Sequence, residues 1–251
     1  MRLCVVVPCF FRGTDFCDAI KEISKLGYDA AETYSWQGIA TPEVKKVLDE
    51  NNVELLSMCT TEFRLTDPKY RGLFLDGLER SAEAANILGV KRLITQVGQD
   101  TLDDRKAQHE SILEGLFAAA SMLEKYKVTL MIEPLNTYVD HPGYYLTSSS
   151  EAFDIVRKVN SPCVKAVYDI YHQQISEGNI LRNVKENLDL IAHMHSAGSD
   201  GRHELWLGEN DYGYIFGEID KMGYGGACGL EYSPTIAPDE SLRLAMERYG
   251  K

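Results

Sequence analysis

Eight short runs of apolar and β-branched residues recur along this chain of 251 residues, and stretches with helical spacing separate them. The runs are RLCVVVP (2–8), YDAAETYS (28–35), VELLSMCTT (53–61), KRLITQVG (91–98), VTLMIEPLN (128–136), VKAVYDIYH (164–172), LIAHMHSAG (190–198) and GACGLEYSP (226–234). The clearest helical stretch, 104–125, puts Ile112, Leu113, Leu116, Phe117, Ala120 and Leu123 on one face. Thr41 followed by Pro42 reads as a helix cap with proline at the first helical position, and Ser150 reads as a second cap. Gly27, Gly89 and Gly223 stand where a left-handed residue would end a helix ahead of the next strand. Eight strand–helix alternations with no linker between them predict an α/β fold, a single (β/α)8 barrel over residues 1–251. An open doubly wound sheet is the alternative. It would more often carry a glycine-rich phosphate loop after its first strand, and PCFFRGTDF contains no GxGxxG.

Composition narrows the function classes. A net charge of −12 repels polyanions, which argues against a nucleic-acid partner. The sequence shows neither a run of membrane-spanning length nor a basic-then-apolar leader at Met1, so a cytoplasmic location is expected. Six cysteines without CxxC spacing read as reduced, mostly buried thiols.

In a barrel of this kind, chemistry gathers at the C-terminal ends of the strands. There the fifth to eighth runs supply Glu133, Asp169, His195 and Glu231, each about one βα unit after the last. Adjacent strands lie only about 5 Å apart, so four such groups at matched heights share one small volume. Three carboxylates that close raise one another's pKa unless a cation sits among them. Carboxylates with one imidazole suit Mn²⁺, Mg²⁺ or Co²⁺ better than Zn²⁺. Any one of these residues alone is more often a hydrogen-bonded strand-end group. The metal reading rests on four consecutive strands each supplying a ligand type at the same end.

Other polar groups belong to the same mouth: His172, Asn136, His141, and the 199–210 loop with Arg202, His203, Glu204 and Glu209. A loop of that length in a compact barrel is more often functional than filler. His193 reads as a satisfied core histidine, turned from the barrel axis or one layer below His195. His109, within a helix, reads as a surface residue.

The pieces IEPLN, YDIYHQQ, GRHE, GEND and GLEYSP, with TDPKYR and GVKRLITQVG earlier, resemble the xylose-isomerase-like TIM-barrel superfamily. Within it they are most similar to the hydroxypyruvate isomerase and ketose 3-epimerase group of sugar isomerases. That resemblance implies Glu133, Asp169, His195 and Glu231 as ligands of a divalent metal, Mn²⁺ foremost. It further implies Glu133 and Glu231 as the paired acid and base that move a proton beside a ketone, through an enediolate that the metal stabilises. His172 and Arg202 match residues that hold substrate oxygens. Trp36, with Phe10 and Phe11, only loosely matches the group's aromatic floor, and Trp206 and Leu207 fall where a more polar loop is expected. Histidine at position 195 is the ketose-epimerase choice, whereas some hydroxypyruvate isomerases carry glutamine there. A sugar substrate and a homo-oligomer follow as expectations.

A second chemistry fits the same ligands. Similar barrels form the catalytic subunit of C-glycoside deglycosidases, lyases acting on 3-keto C-glycosides beside a small partner subunit. His141 would then be the base. An endonuclease IV-type phosphodiesterase is disfavoured by the acidic charge, and a non-catalytic sugar-binding protein by the presence of both Glu133 and Glu231.

Overall fold

The computed structural model describes residues 1–101 and 104–251. Among them, eight parallel strands close into a barrel in chain order. They are β1 (Arg2–Val6), β2 (Ala30–Thr33), β3 (Glu54–Cys59), β4 (Arg92–Thr95), β5 (Thr129–Ile132), β6 (Val164–Asp169), β7 (Ile191–Ser196) and β8 (Ala227–Leu230). Around them run α1 (Val7–Phe10), α2 (Phe16–Lys25), α3 (Pro42–Glu50), α4 (Arg71–Leu88), α5 (Arg105–Tyr126), α6 (Ser149–Val159), α7 (Ile170–Ser176), α8 (Ile180–Asn187), α9 (Tyr212–Lys221) and α10 (Pro238–Tyr249). Each strand lies inside its sequence run and is shorter than it, because the run also contains the loop residues that carry the polar groups. No helix of the described residues is long and apolar enough to cross a membrane.

Alternation along the strands sorts the interior into two populations. Leu3, Val5, Leu93, Leu130, Ile132, Ala166 and Tyr168 belong to the main core, against the helices. Residues of opposite parity, Cys4, Ala30, Leu56 and Ala227 in one layer and Ile94, Met131 and Val167 in another, pack separately in the barrel lumen. The helix signals hold where the local chemistry is explicit. Thr41 Oγ1 accepts from Val44 N at 3.2 Å with Pro42 at the start of α3. Gly27, Gly89 and Gly223 adopt φ of 87°, 78° and 87°, the left-handed region that favours glycine.

Three local expectations are corrected. The cap of α6 is Ser148, whose Oγ accepts from Ser150 N; Ser150 itself lies inside the first turn. On α5 the buried face is Ile112, Gly115, Leu116, Ala119 and Leu123. Phe117 is 52% exposed and Ala120 and Leu113 are only half-buried, since α5 contacts its neighbours along a narrower stripe. All six cysteines are free, but only Cys4 and Cys228 are fully buried.

Candidate active site

Strand register sets the site. Asp169 on β6 pairs with His195 on β7, and His195 pairs with Gly229 on β8, so these positions stand in one row across the barrel. Glu133 and Glu231 follow one residue after β5 and β8. One ligand atom from each of Glu133, Asp169, His195 and Glu231 lies within 4.8 Å of all the others. All four residues are buried. Ligands on opposite sides of a small octahedral cation are about 4.2 Å apart, so the cluster is close to the spread such an ion requires.

The charges explain what the cluster lacks. His195 Nδ1 is 3.1 Å from Glu133 Oε1 and 3.4 Å from Glu231 Oε2, and Arg202 Nη2 donates to Glu231 Oε2 at 2.7 Å. Burial works against ionisation of Glu231, yet the His195 and Arg202 charges hold its carboxyl well below the usual range. Burial likewise opposes the His195 proton, but Glu231 and Glu32 raise its pKa far above that of a free imidazole. Asp169 is left over. Burial, then the Glu231 charge, pushes its carboxyl up to about 7. Its Oδ1 caps α7 through Tyr171 N at 2.8 Å and His172 N at 3.4 Å. The site therefore holds three carboxylates and is short of positive charge at Asp169, and the donor set fits a hard or borderline divalent cation.

His172 is prepared by the loop after β5. Its Nδ1 faces Asn136 N (3.3 Å) and Asn136 Nδ2 (2.7 Å), so it acts as an acceptor and the ring proton sits on Nε2. Asn136 is itself fixed, giving to Asp140 Oδ2 and accepting from Val139 N and Asp140 N. Among the described residues the buried Nε2–H has no hydrogen-bond partner, with Asp169 Oδ2 3.6 Å away. Burial, then Arg202, drives the imidazole pKa down to about 3, so the ring is a neutral donor. Above it opens a cavity of about 270 Å³ lined by Glu133, Glu231, His141, His172, Arg202 and Tyr34. A wider hollow of about 390 Å³ lies around Arg92, Thr129 and Lys165, at the opposite strand ends. It brings together no buried acid–base cluster among the described residues.

The loop after β7 is a rigid presenter. Gly198 N donates to His203 O at 2.8 Å. The buried Glu204 carboxylate accepts from Thr235 N (2.8 Å), Thr235 Oγ1 (2.9 Å) and Ser241 Oγ (3.2 Å), fastening the loop to the segment before α10 and to the first turn of α10 itself. Glu204 is thus a structural staple. The loop holds Arg202 at φ 58°, a conformation costly for a side-chain-bearing residue, with its guanidinium on Glu231. Trp206 packs on the core under the Arg248 guanidinium, 4.3 Å from the ring centre, which accounts for an apolar residue in this loop. His203 is tied to Ser233 O at 2.7 Å, and Glu209 is exposed.

Some expectations move. Trp36 does not line the cavity at the site. Its indole N–H donates to Ser81 Oγ on α4 at 3.1 Å, because the chain turns away from the barrel axis after Thr33, and Tyr34 takes the inward place. His141 sits on the cavity wall, its ring 5.2 Å from that of His172. Burial, then Arg202, lowers its pKa. His193 faces the lumen one layer below His195 and donates toward Glu32. His109 is half-buried, its Nδ1 3.2 Å from Glu151 Oε1, rather than on the surface.

Sequence reasoning passed over Tyr34, whose hydroxyl donates to Glu231 Oε1 at 2.9 Å, and Tyr144, whose hydroxyl donates to the Glu133 carbonyl at 2.9 Å. It also passed over Glu32. The signal was present: Glu32 ends the apolar run DAAE just as Glu133 ends LMIE, and a buried carboxylate needs a partner in either place.

Comparison with known proteins identifies the family of the fold. The hydroxypyruvate isomerase of Escherichia coli (strain K12) is 29% identical to this chain over 97% of both sequences. The 2-oxo-tetronate isomerase of Cupriavidus necator is 36% identical over 67% of this chain and 65% of its own. The crystal structure of an AP endonuclease, family 2, from Brucella melitensis superposes with a TM-score of 0.92 at 25% identity, covering 99% of each chain. Residues 20–249 match the family described as xylose isomerase-like TIM barrel, and the chain is a member of that family.

Proposed function

We propose that this protein is a divalent-metal-dependent sugar isomerase or epimerase that moves a proton on a carbon next to a ketone. One observation carries the reading: Glu133 and Glu231, clustered with Asp169 and His195, line a cavity whose wall offers donors from His172 and Arg202. Bound there, with Mn²⁺ the expected occupant, the cation would supply positive charge where the substrate oxygen becomes negative. Its ligands would be Glu133, Asp169, His195 and Glu231.

The chain's own residues then divide the work. His172 Nε2–H and the Arg202 guanidinium orient substrate oxygens, the first because it is a buried donor without a partner among the described residues. Arg202 and Tyr34 hold Glu231 ionised, as a base must be before it takes a proton. Glu133, fixed through its carbonyl by Tyr144, would enter protonated and give its own proton to the opposite face while Glu231 keeps the one it took; return of that abstracted proton by Glu231 to the neighbouring carbon is the alternative outcome. Transfer between adjacent atoms isomerises, and transfer between faces epimerises. Histidine at 195 supports a sugar-sized ketose as substrate, while the relatives support short hydroxy-keto acids. Both belong to one class, an α-hydroxy ketone.

The test is a screen of free ketoses, hydroxypyruvate and 3-keto glycosides with Mn²⁺ present, following product stereochemistry. Turnover of an α-hydroxy ketone that falls about 10²–10⁴-fold in Glu231→Gln is expected. Full activity of that variant would overturn the reading. His141 supports a second one, since a half-buried, neutral imidazole on the cavity wall could act as the base of a 3-keto C-glycoside lyase. Release of the aromatic aglycone, abolished by His141→Ala, would select the lyase.

A further inference from the structure

Below the ligand cluster lies a second set of buried groups. Glu32, on β2, is 2% exposed and stands across the barrel from β7. His193 Nε2 lies 2.9 Å from its Oε1, and His195 Nε2 lies 3.1 Å from its Oε2. Ser57 Oγ on β3 donates to the same Oε2. Glu32, His193 and His195 also stand close enough to hold a metal of their own. Both oxygens of Glu32 are already engaged by donors, however, so this trio satisfies itself without an ion.

From this geometry we infer that Glu32 is a positioning residue for the metal centre, an inference that rests on the metal-dependent reading above. An imidazole has two nitrogens, and a ligand nitrogen must carry no proton. By accepting at Oε2, Glu32 holds a proton on His195 Nε2, so Nδ1, which faces Glu133 and Glu231, is the nitrogen that would give up its proton to a cation. His193 and Ser57 hold the carboxylate from its other sides, so it cannot rotate away. A carboxylate behind a ligating histidine fixes both its tautomer and its ring orientation.

A glutamine at position 32 would break this arrangement with little change of shape. Its amide offers one oxygen and one N–H₂ group in place of two acceptors. Two ring N–H groups and the Ser57 hydroxyl then compete for a single oxygen, and an imidazole facing the amide N–H₂ must accept there and carry its proton on Nδ1.

The experiment is titration of the metal-free full chain with Mn²⁺ by calorimetry, for wild type and Glu32→Gln. It is paired with ¹⁵N-histidine NMR of wild type loaded with Zn²⁺ as a diamagnetic probe. Expected are a Kd weakened about 10–100-fold in the variant and a proton on Nε2 of His195 in the loaded wild type. An unchanged Kd, or a proton found on Nδ1, overturns the role of Glu32 while leaving the metal centre standing. Failure of wild type to take up Mn²⁺ overturns both readings together. Should Glu32→Gln not fold, the wild-type NMR result decides by itself.

Discussion

Gly229→Ala makes a sharp stability test, because two opposing effects can be weighed against each other. Gly229 has an ordinary backbone conformation, so its need for glycine is a matter of space. A Cβ there would overlap the Glu32 carboxylate and come 2.7 Å from His195 Cδ2. Replacing glycine by alanine restricts the unfolded chain and on its own stabilises by about 0.4–1 kcal/mol. Overpacking a core costs about 1–3 kcal/mol where neighbours can shift. Here they cannot shift freely, since Glu32 is held by His193, His195 and Ser57. Forcing a buried ion pair apart costs about 3–5 kcal/mol, so a net loss of about 2–4 kcal/mol is expected after the entropy gain. At roughly 2–4 °C per kcal/mol for a chain of this size, Tm should fall by about 5–15 °C. The matched control is Gly217→Ala in the interior of α9, where the new methyl meets nothing within 4 Å. That change should raise stability by about 0.5–1 kcal/mol. Urea melts of both variants provide the measurement, and equal, favourable shifts would refute the packing assigned to Glu32 and His195.

Further outcomes follow from the same contacts. Tyr34→Phe removes a hydrogen bond to the Glu231 carboxylate, worth about 1.5–3 kcal/mol, so steady-state kinetics should show kcat down about 10–100-fold, and Tm should fall by about 3–12 °C. Glu204 is held below the ordinary value of 4.5: burial opposes this, but hydrogen bonds from backbone N–H groups, Thr235 and Ser241 outweigh it. Its stabilisation is therefore complete above about pH 4.5 and fades as pH falls through the lower folded-state value. The Tm deficit of Glu204→Gln should be plain at pH 7 and shrink progressively as pH is lowered below about 4.5; a constant deficit would contradict the staple. Treatment with EDTA should abolish turnover and lower Tm, and added Mn²⁺ should restore both, as monitored by calorimetry.

Local rules reach a long way in this chain. Strand periodicity, helix caps such as Thr41–Pro42 and left-handed glycines such as Gly89 are short-range matters, so the order of elements, and with it the closed barrel, was legible in the sequence. The four acidic and imidazole groups at strand ends were legible for a related reason. Consecutive parallel strands bring their C-terminal ends side by side, so equal placement in the runs becomes proximity in space. Contacts between distant strands obey no such rule. Glu32 and His195 are 163 positions apart, and only closure of the barrel lays one beneath the other. The inward place of Tyr34 over Trp36, the left-handed Arg202 and the conversion of Glu204 into a staple likewise depend on what packs against each residue. The sequence by itself determined the barrel and which end of it carries the clustered carboxylates and imidazole, because those follow from backbone periodicity. Which carboxylate each nitrogen of His195 faces, and which side chains hold the site in shape, was decided only by tertiary structure, because hydrogen bonds between buried groups are chosen by neighbours the local sequence does not specify.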